Sequence, residues 1–185
     1  MMRVGIAGYG VVGKTRHRSI ISNTSYQVTA ISESSEDARQ SIPAGIDVFN
    51  DYKSLIANAE IDIIFISLPN KFAAEAASLS LQNGLHVFCE KPPARTHAEL
   101  LEVQKQSLRF PELKLMYGFN HRFHLSVEEA KSLIHSNSLG QIINMKGVYG
   151  KSQMISFNQT DWRTDREASG GGILLDQGIH MLDLM

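Results

Sequence analysis

At 185 residues the chain has room for one complete domain and part of a second, since domains cluster near roughly 100–150 residues. Hydrophobic residues at 43% and charged residues at 20% exclude wholesale disorder, and 18 basic against 19 acidic residues, dispersed to a net charge of −1, leave no footprint for nucleic acid or anionic lipid. No apolar run approaches the roughly 20 residues of a membrane span, and the first strand begins at Arg3 with no room for a signal peptide, so a cytoplasmic protein without a membrane partner is expected.

Residues 3–7 (RVGIA) form a short apolar run that meets glycines at once, and residues 11–21 supply a helix-length segment: strand, tight turn, helix. Residues 27–32 (QVTAIS) and the nearly continuous apolar run 61–68 (IDIIFISL) read as parallel strands, the second covered on both faces. Between them, residues 45–49 suit a short strand and 51–58 a helix capped by Asp51. An alanine-rich helix follows over 71–82, stopped by Asn83-Gly84, then a strand over 85–89. Thr96 and Glu99 make a capping box for a helix to about residue 108, and residues 113–117 give a sixth strand. Such alternation predicts an α/β fold, a Rossmann doubly wound parallel sheet over residues 1–118 with its ligand site beyond the carboxyl ends of the strands.

After Gly118 the rhythm changes, and residues 119–185 read as the start of a second, incomplete α+β domain. Residues 125–135 look helical, 141–149 look like a strand, and 150–169 are polar and irregular. A last helix places Leu175, Ile179 and Leu182 as a core stripe, and it reaches Met185 without a capping glycine or polar tail, so a truncated chain is expected. A fragment of this kind should expose apolar surface and associate. Cys89, the single cysteine, follows Val87 and Phe88 and reads as core.

Gly8-Tyr9-Gly10-Val11-Val12-Gly13 fits GxGxxG between strand and helix. The first glycine permits the sharp turn, the second lets a pyrophosphate approach the backbone, the third lets helix pack on strand, and the helix N-terminus offers free N–H groups to the phosphates. Residues 8–15 (GYGVVGKT) also match the P-loop pattern GxxxxGK[ST], in which Lys14 would reach the phosphates and Thr15 would hold Mg²⁺. A nucleotidase needs an acidic residue at the end of a second strand, but residues 61–68 lead into Pro69-Asn70. A dinucleotide site needs an acidic residue about 20 positions past the loop, where Glu33 stands. Glu33 favours NAD, since a carboxylate binds a ribose 2′-OH and repels a 2′-phosphate; with Glu33 turned outward, Ser32, Ser34, Ser35 and Arg39 leave NADP open. His17 is placed near the phosphates or in solvent. His121 and His124 invite a metal, but no carboxylate or cysteine stands at ligand spacing beside them, and no metal site is expected.

Four further segments, taken with the loop, resemble the Gfo/Idh/MocA family of NAD(P)-dependent sugar and polyol oxidoreductases: Glu90-Lys91-Pro92, Gly118-Phe119-Asn120-His121-Arg122-Phe123, Asp161-Trp162-Arg163, and residues 170–183 (GGGILLDQGIHMLD). The resemblance implies hydride transfer between NAD(P) and a secondary alcohol or ketone, a small sugar, polyol or sugar-nucleotide substrate, a homo-oligomer, and residues 119–185 as the start of the C-terminal substrate and oligomerisation domain. It implies catalytic roles for Lys91, Asp176 and His180. Cofactor contacts are implied for residues 8–13, Glu33, Ser67, Pro69, Asn70, Glu90, Lys91, Pro92 and Asn120, and substrate contacts for Arg122, Trp162, Arg163, Asp176 and His180. The residues agree: positions four apart share a helix face, so Asp176 can orient the His180 imidazole, whose ordinary pKa of about 6.5 suits a base. Lys91 is cast as orienting and electrostatic. The family often shows a histidine three positions after the asparagine of Pro69-Asn70, and this chain has Ala73. A catalytically silent dinucleotide-binding module remains the alternative to an enzyme.

Overall fold

The computed structural model describes residues 1–150 and 162–185, and the chain divides into two compact units, Met1–Gly118 and Phe119–Met185. In the first, strands β1 (Met2–Ala7), β2 (Tyr26–Ser32), β3 (Asp47–Phe49), β4 (Ile63–Ile66), β5 (His86–Cys89) and β6 (Leu115–Tyr117) form one parallel sheet in the order β3-β2-β1-β4-β5-β6. Helices α1 (Val11–Ile21), α2 (Glu36–Arg39), α3 (Tyr52–Asn58), α4 (Asn70–Gln82) and α5 (His97–Arg109) make the crossovers. This is the strand order of the Rossmann fold, with the topological switch between β1 and β4.

Burial on both faces explains the unbroken apolar run in β4. Ile64 and Ile66 pack into a cluster with Leu55, Ala76, Ala77, Leu81, Val87 and Cys89, whereas Phe65 turns to a second cluster of Val4, Ile6, Tyr9, Ile20, Val28 and Ile31. Four alanines of α4 (Ala73, Ala74, Ala76, Ala77) are buried, and their short side chains let that helix lie close on the sheet. The punctuation is local: Asp51 accepts from the Ser54 N–H at 2.9 Å to open α3, and Gly84 takes the left-handed φ of +77° after α4. Thr96 caps α5 by accepting from the Glu99 N–H at 3.2 Å, but the box closes differently from expectation. Glu99 reaches back to the Arg95 N–H at 2.8 Å and to its guanidinium, which competes for the carboxylate. Helix α2 was not anticipated, although Ser35 caps it and Glu36 and Asp37 occupy its first turn.

The second unit contains a 3₁₀ turn (Asn120–Phe123), α6 (Leu125–His135), α7 (Arg166–Ser169), a π-helical turn (Leu174–Gly178) and α8 (Ile179–Leu184). Residues 141–149 form no strand: strand pairing among the described residues is confined to the first unit's sheet, and a lone strand leaves its backbone groups unpaired. The last helix is not continuous α-helix. Its π turn shifts the phase of the side chains, so that His180 is buried while Leu182, expected in a core stripe, is 63% exposed. Leu174 occupies the space that a side chain at Gly178 would take, with its Cδ1 only 2.7 Å from the position of such a Cβ. No helix among the described residues is long and apolar enough to cross a membrane.

Candidate functional site

The carboxyl ends of the strands in the first unit gather the glycine loop, Glu33, residues 67–70 and residues 90–92. Each strand exit is tied to its neighbour, Gly8 N–H to Ser32 O at 2.9 Å, Ser67 N–H to Ala7 O at 2.8 Å and Glu90 N–H to Ile66 O at 2.9 Å, so the edge is set by backbone bonds. Two of the three motif glycines are required by the fold. Gly8 has φ +87° and a Cβ there would lie 2.6 Å from the Ser67 carbonyl oxygen; a Cβ on Gly13 would lie 2.0 Å from the Gly8 carbonyl oxygen. Gly10 differs: its φ of −70° suits any residue, and a Cβ would meet nothing within 4 Å. Nothing in the fold asks for glycine there.

Gly10 caps α1, and the first bond within the helix runs from the Lys14 N–H to the Gly10 carbonyl at 3.0 Å. The amides of Val11, Val12 and Gly13 thus have no acceptor within the helix, and no acidic residue occupies its first turn. A helix end of this kind favours a phosphate. Ser67 Oγ and Ser32 Oγ, both at strand exits, are buried without a hydrogen-bond partner among the described residues. An open approach at Gly10, free amides and orphaned hydroxyls at one sheet edge fit a dinucleotide.

The P-loop alternative fails on geometry. Because α1 begins at Val11, Lys14 and Thr15 lie inside the helix instead of at the mouth of a loop that wraps phosphates. Thr15 Oγ1 donates to the Val11 carbonyl at 2.9 Å and accepts from Arg18, and Lys14 Nζ lies 5.8 Å from the Tyr9 ring centroid.

Glu33 stands directly after β2. One of its carboxylate oxygens accepts from the Tyr9 N–H at 2.8 Å and the other from the Ser35 N–H at 2.9 Å, so it is turned toward the glycine loop and not outward. Arg39 binds the Asn50 side chain. The Tyr9 side chain is buried and its hydroxyl meets His17 Nδ1 at 2.6 Å. His17 is therefore neither solvated nor directed at phosphates: with Gly13 and Ile20 it forms the buried face of α1. Burial pushes the Tyr9 hydroxyl up and holds the His17 imidazole below its ordinary range.

Pro69 caps α4, and Asn70 opens that helix and is buried. Glu90 follows β5 and accepts from Arg16 Nε at 2.6 Å. Lys91 is half-buried, its peptide bond to Pro92 is cis, and Pro92 is fully buried. Cys89 is fully buried and its thiol is pushed well up by burial, as suits a core residue.

In the second unit, Phe119–Met185, His180 is 5% exposed and stacks on His121, with ring centroids 4.1 Å apart and planes 19° apart. Tyr149 lies at 6.0 Å and Phe119 meets the ring edge-on at 6.2 Å. Asp176 lies in the π turn and accepts from Gln177 Nε2 at 2.8 Å. Arg122 makes a two-point ion pair with Asp183 through Nε at 2.8 Å and Nη2, which ties the 3₁₀ turn to α8. Asn120 is exposed at the start of that turn, and the Arg163 guanidinium lies 4.5 Å over the Trp162 ring. Asp161 lies outside the described residues. Among those residues, no cluster of three or more His, Cys, Asp or Glu could hold a metal.

A family model described as an oxidoreductase family with an NAD-binding Rossmann fold matches residues 2–118, and one described as the GFO/IDH/MocA C-terminal domain matches residues 127–185. The chain is 29% identical to a D-glucoside 3-dehydrogenase of Escherichia coli over 98% of its own length and 52% of that protein's. It is 30% identical to a levoglucosan dehydrogenase of Pseudarthrobacter phenanthrenivorans over 73% of its length and 35% of that protein's. A scyllo-inositol dehydrogenase of Lactobacillus casei, solved with bound NAD(H) and scyllo-inositol, superposes with a TM-score of 0.70 at 27% identity, over 76% of this chain and 42% of that one. The chain thus spans about half, or less, of the length of these relatives.

Proposed function

The chain belongs to the GFO/IDH/MocA oxidoreductase family, and on that premise we propose that it transfers hydride between NAD and a secondary alcohol or ketone of a sugar, polyol or sugar nucleotide. The observation that carries the cofactor half is Gly10, a glycine that no contact or backbone angle of the fold requires, at the open end of α1. The substrate half is supported by relatives named for glucosides, levoglucosan and inositols.

Residues 8–13 form the cofactor loop: the amides of Gly8 and Tyr9 are engaged by Ser32 and Glu33 and shape it, and the amides of Val11, Val12 and Gly13 hold the diphosphate. Glu33, fixed by two backbone N–H groups, accepts from the adenosine ribose hydroxyls and disfavours the 2′-phosphate of NADP. Ser67, Pro69, Asn70, Glu90, Lys91, Pro92 and Asn120 complete the cofactor contacts. Bound NAD supplies the hydride acceptor for alcohol oxidation, and its reduced form the donor for ketone reduction. His180 takes the proton from the substrate hydroxyl, Asp176 sets the orientation and charge of its ring, and the Lys91 ammonium orients the reacting oxygen. Arg122, Trp162 and Arg163 bear on the substrate, Arg122 through its hold on Asp183. A homo-oligomer agrees with the apolar exposure of the second unit, where Leu125, Ile143 and Val148 face solvent.

Equilibrium titration with NADH, read by nicotinamide fluorescence, with MgATP as the control, tests the cofactor half. Saturable NADH binding is expected, and binding of MgATP alone would overturn it. Supplying NAD⁺ with D-glucosides, levoglucosan and inositols tests the substrate half. Reduction of NAD⁺ by one of them is expected, whereas NADH binding with no turnover on any assigns a silent dinucleotide-binding module instead.

A further inference from the structure

Arg16 lies in the second turn of α1, on the helix whose N-terminus forms the glycine loop, and it makes two contacts beyond that helix. Its Nε donates to Glu90 Oε1 at 2.6 Å, with the two side chains 27% and 17% exposed. Its guanidinium also lies 4.8 Å over the Phe88 ring of β5, which itself stacks on Phe65 of β4 at 4.9 Å. The other Glu90 oxygen lies close to Gly118, where a Cβ would come within 2.7 Å of Oε2. The carboxylate thus meets a cation from α1 and the bare backbone that follows β6.

We infer that Arg16 is a positioning residue: by gripping Glu90 it fixes the Glu90-Lys91-Pro92 turn against the helix that carries the glycine loop, and so sets where Lys91 stands relative to bound dinucleotide. A guanidinium can keep its central carbon over the Phe88 ring while its Nε donates to Glu90, whereas a lysine retains the charge but has one nitrogen for both contacts. Without the cation, Glu90 keeps a partly buried charge that it relieves by moving, and Lys91, the next residue along the chain, moves with it. The ion pair thus acts on the nicotinamide side of the cofactor and leaves the diphosphate side alone.

The inference rests on the dinucleotide reading, and the two are separable by comparing NADH with ADP-ribose, which shares the adenosine and diphosphate and lacks nicotinamide. Calorimetric titration of the chain is expected to show Arg16→Met binding NADH about tenfold more weakly, the size of one charge-assisted hydrogen bond, with ADP-ribose within about twofold of wild type. Arg16→Lys should recover part of the NADH affinity, and Glu90→Gln, which leaves α1 untouched, should repeat the Arg16→Met pattern. Equal weakening of both ligands would place the effect on the helix or the diphosphate and overturn the inference, as would unchanged NADH affinity in both Arg16→Met and Glu90→Gln. A wild-type chain that binds neither ligand would overturn the inference together with the dinucleotide reading.

Discussion

Gly10→Ala and Gly13→Ala make opposite demands on the same loop. At position 13 the added methyl would sit 2.0 Å from the Gly8 carbonyl oxygen, well inside contact distance, so α1 must move off β1. Overpacking of this kind costs roughly 1–3 kcal/mol, and with about 2–4 °C per kcal/mol for a chain of this size, Gly13→Ala should lower the melting temperature by about 2–12 °C. At position 10 the methyl meets no protein atom and φ is −70°. Alanine is the poorer helix cap by roughly 0.5–1 kcal/mol, and the restriction it places on the unfolded chain returns about 0.4–1 kcal/mol, so stability should change by less than about 1 kcal/mol. The same methyl stands where a diphosphate would approach the backbone. Loss of one charge-assisted hydrogen bond, about 1.5–3 kcal/mol, translates to NADH binding weakened roughly 10- to 100-fold. Differential scanning fluorimetry and NADH titration on both variants read the two effects. A Gly10→Ala protein that binds NADH like wild type would refute the placement of the diphosphate, and one that melts as low as Gly13→Ala would refute the claim that the fold leaves this position free.

Two further predictions come from the same edge of the sheet. Glu33→Ala removes the carboxylate that Tyr9 and Ser35 hold in place, and should reduce the preference for NADH over NADPH by roughly tenfold or more; an unchanged ratio of the two dissociation constants would show that Glu33 does not face the ribose. His17, whose imidazole burial holds below its ordinary range, binds its proton later in the folded than in the unfolded chain as pH falls. Stability is therefore complete above the unfolded value of about 6.5 and declines as pH drops below it and through the folded pKa. Asp51, Asp62 and Glu75, held below the usual carboxylate range by hydrogen bonds from the Ser54 N–H, the Arg3 N–H and the Lys53 ammonium, lose their contributions only as pH falls below about 4. Between pH 7 and pH 5 the melting temperature of His17→Gln should thus fall less than that of wild type, and parallel decreases would rule out the buried pair as the cause.

What could be seen in the sequence was what neighbours along the chain determine. The β1–glycine loop–α1 unit, the two-faced burial of β4 and the stop at Asn83-Gly84 depend on residues within one turn or one strand of each other. Tyr9 was less legible, because the second position of GxGxxG looks free. Its burial depends on His17, and the stripe Gly13, His17, Ile20 along α1 was the signal that this face turns inward. The short helix α2 was also announced, by Ser35 and the acidic pair after it. No pattern reports the Arg16–Glu90 pair, 74 residues apart, or the stacking of His121 on His180, because topology alone brings them together. The π turn is illegible for another reason: a period of 3.6 residues per turn presupposes the regularity that this turn interrupts.

The two units differ in what holds them together, and this bears on how cofactor binding and catalysis depend on the chain. Both hydrophobic clusters belong to the first unit, with fully buried Ile6, Ile31, Leu55, Ile64, Ile66 and Leu81, each contributing roughly 1.5–3 kcal/mol. In the second unit the buried apolar residues among those described are Phe119 and Ala168, while Leu125, Ile143, Val148, Ile173, Leu174 and Leu182 are exposed. The unit that carries the glycine loop and Glu33 should therefore outlast the unit that carries Asp176 and His180. Trp162, the chain's single tryptophan, lies in the second unit and reports on it alone. In a urea titration its emission should shift to that of a solvated indole at lower denaturant than the loss of NADH binding, giving two transitions where a single cooperative domain gives one. Coincident transitions would mean that the exposed apolar residues are covered in solution, as in an oligomer, and the midpoint would then rise with protein concentration.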